Sequence, residues 1–199
     1  YAPAVEVDLF AAFVEHADPG APVLRRVVHE TAKLGADNPD SYYLNAEIDG
    51  TAEYVLSGRR NTVHFIEFAT QIGSYGESRG MAPAGHLDGK DLVLGPDGRF
   101  EIVLSPERKG ENWLRTTPDT RTLIIRQNRL QIDREQLADL TLRRVDGVGP
   151  SALTPQRVDI GLMKAGMLVF TAPMMFCEWV EGFQKHVNQL PRFSQETSD

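Results

Sequence analysis

The spacing of apolar positions changes twice along the chain. Over residues 5–14, Val5, Leu9, Phe10, Phe13 and Val14 recur at helical intervals and stop before Asp18-Pro19-Gly20, which predicts a short amphipathic helix. After Pro22 the positions Val23, Leu24, Val27, Val28 and Leu34 repeat the pattern, with Gly35 placed to end it. Residues 1–36 are therefore expected to form a helical lead-in. From Tyr42 the period drops to two. Strands are expected over 42–48, 52–56, 62–71, 91–94, 99–105, 120–130 and 137–145, with Asp49-Gly50 and Gly95-Pro96-Asp97-Gly98 as turns. The pair 91–94 and 99–105 is the clearest hairpin, and the small-residue segment 73–85 reads as a mobile loop.

Seven short strands without intervening helices predict a mainly β protein: an antiparallel β-sandwich or jelly roll over 41–146, with helices flanking it. After Gly147-Val148-Gly149-Pro150 the period returns to 3.6. Thr154-Pro155 caps and starts a long C-terminal helix over 154–187, expected to kink or break just before Pro173, which lacks a backbone donor. Its stripe of Ile160, Met163, Met167, Phe170, Met174, Cys177, Val180 and Phe183 needs a cover, either the sheet or a partner subunit. The methionines, with Met175, could also line a ligand tunnel, since thioether chains adapt to irregular shapes.

At 199 residues the chain is one domain by default, large enough to bury a core without staples. A net charge of −7, with cations scattered among the acids, leaves no phosphate-tracking surface, so nucleic acid is not an expected partner. The lone Cys177 rules out an intrachain disulfide and favours a reducing, cytoplasmic setting. The uncharged run 165–177 is shorter than a membrane span, so no membrane is expected either. No cofactor motif is present: Gly-x-Ser-x-Gly, Walker and GxGxxG patterns are all missing.

Several motifs occur in a recognisable order: Gly35-Ala-Asp-Asn-Pro-Asp40-Ser-Tyr-Tyr, then Leu87-Asp88, Pro96-Asp97-Gly98-Arg99-Phe100-Glu101, Glu111-Asn112-Trp113-Leu114, and Leu123-Ile-Ile-Arg126-Gln127. Over residues 29–145 this order resembles the bacterial family known as domain of unknown function 1214, common in actinobacteria. The resemblance implies a jelly-roll β-sandwich and a further N-terminal helical segment, and it implies no activity. Gln127-Asn128-Arg129 departs from the family pattern, in which an aromatic residue follows the arginine.

The candidate chemistry is sparse. Asn38-Pro39-Asp40 suits a turn held by side-chain bonds to its own backbone; alternatively Asp40 is a general base at a cleft rim beside Tyr42 or Tyr43, only one of which can face it. Arg126, in an apolar strand, is either paired with a carboxylate or solvated, or else binds an anion through its planar fork. Asn112 and Trp113 accompany it, the indole as a core plug or as a stacking surface for a flat ligand. His86 and Asp88 are a weak metal pair, with His29 or His64 to complete it, and Glu67 with Asp88 or Glu101 could form an acid–base pair. The functional expectation is a small apolar or carboxylate-bearing metabolite held by Tyr43, Asn112, Trp113 and Arg126. Two alternatives are a homo-oligomeric interaction module built on the C-terminal helix and a carbohydrate-binding module with Trp113 or Tyr75 as its platform.

Overall fold

Inward-facing apolar side chains from eight strands share one core. A computed structural model describes residues 8–33, 38, 40–74 and 81–189. The strands are β1 (Ser41–Glu47), β2 (Tyr54–Arg59), β3 (Phe65–Ile72), β4 (Pro83–Asp88), β5 (Arg99–Ser105), β6 (Trp113–Arg115), β7 (Thr120–Asn128) and β8 (Asp139–Arg144), followed by the helix α1 (Pro155–Gln184). They form two four-stranded sheets, in the orders β1-β7-β3-β4 and β6-β5-β2-β8. All pairs are antiparallel except β5 with β6. Ile66, Phe68, Leu123 and Ile125 of the first sheet and Leu56, Ile102, Leu104 and Leu114 of the second are fully buried in the common core. There Phe68 meets Phe100 edge to face.

Four expectations need correction. The second helix after Pro22 is instead extended chain: Arg25 exchanges both backbone bonds with Asn45, adding a bridge beside β1. β-Branched Val23, Val27 and Val28 fit that conformation better than a helix; Leu34 and Gly35 lie outside the described residues. The segment 73–85 is not all loop, because β4 begins at Pro83 and pairs with β3; residues 75–80 lie outside the described residues. Trp113–Arg115 is a strand that alternation could not reveal in three residues. Finally, the Gly95–Gly98 turn is present, with Gly98 at positive φ, but 91–94 is no ladder strand. The Asn112 side chain takes Val93's backbone groups in place of a partner strand.

The N-terminal chain is helical from Asp8, widens into a π-helical turn over Ala11–Glu15 and packs on α1. Thr154 caps α1 by accepting from the Arg157 N–H, and the helix continues through Pro173 without the expected break. Its docking face differs from the predicted one. Gly161, Leu168 and Ala172 are its buried residues, set against Leu9 and Phe13. A Cβ at position 161 would sit 2.4 Å from the Phe13 carbonyl oxygen, so only glycine lets the two backbones approach this closely. The predicted stripe of Ile160, Met163, Met167, Phe170, Met174, Val180 and Phe183 points to solvent, as does Cys177. α1 also runs well beyond the uncharged 165–177 stretch. An 18-residue window reaches a mean hydropathy of 1.6, enough by length and composition to cross a bilayer.

Asp18 clasps the lead-in of α1. Its carboxylate accepts from Gly20 N at 2.9 Å and from the N–H and hydroxyl of Ser151 at 2.6 and 2.9 Å, with Arg157 at 3.6 Å. Partial burial pushes its pKa up, but the bonds from Ser151 and Gly20 and the Arg157 charge outweigh it and hold the group below the usual 3.8. A carboxylate with a depressed folded pKa stabilises fully above its unfolded value and loses that contribution as pH falls through the folded one. The thermal stability of wild type over Asp18→Asn should therefore be constant near neutrality and shrink only below about pH 4. A difference that fades between pH 6 and 8 would contradict the clasp.

Candidate functional site

Register alone brings three of the chemistry-bearing side chains together. Tyr43 of β1 stands opposite Arg126 of β7, which stands opposite Glu67 of β3, all on the outer face of the first sheet. Arg126 pairs with the Glu67 carboxylate and lies 5.9 Å from the centroid of the Tyr43 ring. His86, on β4, places Nε2 3.4 Å from the other Glu67 oxygen. The arginine's charge is thus met by Glu67, whose side chain is only 17% exposed, as a guanidinium in an apolar strand requires. Tyr42 faces the other way, opposite Gln127, with the Arg26 guanidinium 4.4 Å from its ring centroid.

The remaining candidates stand apart from this group. Asn38 holds the turn before β1 by accepting the Asp40 N–H, while Asp40 itself is exposed. Asp88 caps the 3-10 turn Gly89–Asp91 through the Lys90 N–H and also meets the Lys90 ammonium at 3.1 Å. Among the described residues no three His, Cys, Asp or Glu side chains converge to hold a metal ion. Asn112 is buried and fully engaged: its oxygen accepts from Val93 N, and its nitrogen donates to the Val93 and Glu101 carbonyls. Trp113 is half-buried, with Nε1 donating to Ser105. Tyr75 lies outside the described residues. Because the chain changes sheets between β6 and β7, Asn112 and Trp113 belong to the second sheet while Tyr43 and Arg126 belong to the first. The four do not line one cleft.

A half-enclosed apolar space lies elsewhere, between α1 and residues 27–33, where the chain bends and His29 and Ala32 bridge across a tight turn. This groove has a volume of about 380 Å³. Leu9, Val27 and Val28 form one wall and Leu168, Ala172 and Phe176 the other, with Asp8 and Lys33 as polar lining. Asp8 is fixed by His29, whose Nε2 lies 2.9 Å from its carboxylate. A wider depression of about 940 Å³ crosses the outer face of the second sheet, over Ser57, Glu101 and Thr141. Its polar, charged lining is well solvated, so it offers less driving force for a ligand than the aliphatic groove does. The groove was missed because its walls belong to a segment read as helix and to a helix face of small residues. A signal was nonetheless there: Gly161, Ala165, Leu168 and Ala172 recur at helical spacing.

Asn112→Ala should lower the unfolding free energy by about 1–3 kcal/mol in urea titration, since it strands the buried Val93 groups. A neutral result would mean that the Val93 segment finds other partners.

No family model matches the chain, and no curated protein does. Among solved structures, an uncharacterised protein from Burkholderia cenocepacia is 40% identical over 98% of this chain, with a TM-score of 0.89. The chain covers 54% of that protein, about half its length. The VPA0106 protein from Vibrio parahaemolyticus is 20% identical over 53% of this chain and 31% of its own, with a TM-score of 0.43, and carries no argument.

Proposed function

We propose that the chain binds a small apolar molecule in the groove between α1 and the 27–33 segment. The observation that carries this reading is a half-enclosed space of about 380 Å³ with aliphatic and aromatic walls. That volume falls within the roughly 300–1,000 Å³ of small-molecule sites. Removing the ligand's apolar surface from water supplies the affinity, at about 25 cal/mol per Å². Asp8, held by His29, and Lys33 lie at the groove's polar margin. A metabolite held by Tyr43, Asn112, Trp113 and Arg126 is less well supported, because those side chains are divided between the sheets and engaged with the protein. The carbohydrate reading is weaker too, since the Trp113 indole is half-buried and bonded to Ser105.

The same reading takes the two sheets as a β-sandwich of jelly-roll type and the chain as a member of the domain of unknown function 1214 family. The chain's passage from sheet to sheet at β1–β2, β2–β3, β4–β5, β6–β7 and β7–β8 supports the sandwich, and the parallel β5–β6 pair is its departure from a purely antiparallel one. The Asn112-Trp113-Leu114 and Arg126 motifs support the family.

Calorimetric titration with medium-chain fatty acids and the matching n-alcohols tests the site. Binding should show a negative heat-capacity change, and ligand at 100 times its Kd should stabilise the fold by about 2.7 kcal/mol. Val28→Trp, which fills the groove, should abolish binding, and Phe170→Glu on the far side of α1 should leave it intact. Binding that survives Val28→Trp, or none at all, overturns the proposal.

A further inference from the structure

The groove carries its charge at one margin, and that charge depends on pH. Asp8, from the N-terminal helix, and Lys33, just past the tight turn, are the charged residues of its lining. The residues that α1 brings to the same space, Leu168, Val169, Ala172, Pro173 and Phe176, carry none.

His29 decides how much of the Asp8 charge the groove feels. Its Nε2 lies 2.9 Å from the Asp8 carboxylate, and the two side chains are 21% and 20% exposed. Its other nitrogen, Nδ1, accepts from the Thr31 N–H at 3.4 Å, with the Thr31 hydroxyl 3.2 Å away. A ring nitrogen that accepts bears no proton, so the neutral imidazole keeps its hydrogen on Nε2 and donates it to Asp8. In that state the carboxylate is hydrogen-bonded and still carries its negative charge. Protonation of the ring places a positive charge beside it, and the pair becomes neutral overall. Imidazole is the side chain that makes this change between about pH 5 and 8. The other charges on the turn do not offset it. Glu30 is held by the Arg26 guanidinium at 3.0 to 3.2 Å, and Arg26 in turn lies over the Tyr42 ring, so this pair adds no net charge. Whatever Lys33 contacts, the step between the two states of His29 is one full positive charge.

We infer, taking the groove as the binding site, that its ligand is an apolar chain ending in a carboxylate and that protonation of His29 tightens its hold. A chain buried along Val28, Leu168 and Phe176 leaves its charged end at the margin, because burying an unpaired charge is costly. There the carboxylate is repelled by Asp8 while His29 is neutral, and meets two cations against one anion once His29 is charged. One unit charge added about 7 Å away in a solvated margin changes the affinity for a charged head by about three- to tenfold. By linkage, the bound carboxylate draws a proton onto His29.

Calorimetric titration of the whole chain with decanoate, decanol and decylamine at pH 8 and pH 6 tests this, since the carboxylate and the amine keep their charges at both. Decanoate is expected to bind about three- to tenfold more tightly at pH 6, decylamine more weakly, and decanol equally at both. In His29→Gln, whose amide still donates to Asp8, decanoate and decylamine lose their pH dependence while decanol binds as in wild type. Decanoate with the same affinity at both pH values, beside decanol that binds, overturns the inference and leaves the groove standing. A shift shared by all three ligands overturns it as well, because it reports a loosened turn and not a charge. So does a decanoate pH dependence that persists in His29→Gln, or an amine that outbinds decanoate at pH 6. If neither decanol nor decanoate binds, the groove itself is not the site and the inference falls with it.

Discussion

The contact on which the arrangement of this molecule depends is the backbone-to-backbone approach at Gly161. With a Cβ placed only 2.4 Å from the Phe13 carbonyl, α1 can lie against the N-terminal turn only where its side chain is a hydrogen atom. That fixes the rotation of the helix. Leu168 and Ala172, about two and three turns on, must then face the domain, and Met163, Met167, Met174 and Phe170 must face away. The groove lies beside this contact, where Val27 and Val28 and the helix residues Leu168, Ala172 and Phe176 line the same space.

The sheets were legible where the physics is local and repeated. β1, β5, β7 and β8 lie close to where alternation and turn residues place them, because half-buried strands must alternate and Gly98 can adopt the positive φ its turn needs. The failures share a cause: each depends on a partner far away in sequence. The 23–28 segment has helical spacing, but Arg25 finds an open backbone edge at Asn45, and two main-chain bonds with the sheet outweigh a short helix with β-branched residues. Residues 91–94 have strand character and a good turn, yet their neighbour is the Asn112 side chain, nineteen residues on from Val93. No window of sequence contains that exchange.

The candidate side chains were legible by type and not by place. An arginine in an apolar strand calls for a carboxylate, water or a bound anion, and pairing across β7 and β3 supplies Arg126 with Glu67. Which of two adjacent tyrosines accompanies it follows from register, and register cannot be read without knowing which strands are neighbours. Gln127 shows the same limit. It is almost fully buried in the core, where its carbonyl oxygen accepts the Ala138 N–H while its amide nitrogen has no protein partner.

The helix α1 shows why composition cannot decide what an apolar segment is for. Its length and hydropathy suit a bilayer, its small-residue face suits close helix packing, and its bulky face has the three-four spacing of a helix partner. These readings are not equivalent once the docked face is known. A helix that buries Gly161, Leu168 and Ala172 against its own domain has used one side of its first half. Beyond Ala172 the helix buries no side chain, and its exposed apolar residues lie on every face, Trp179 in line with Gly161 among them. Lys164 strengthens the point, because its ammonium donates to Ser74 at 2.8 Å and so anchors the helix laterally to the loop after β3.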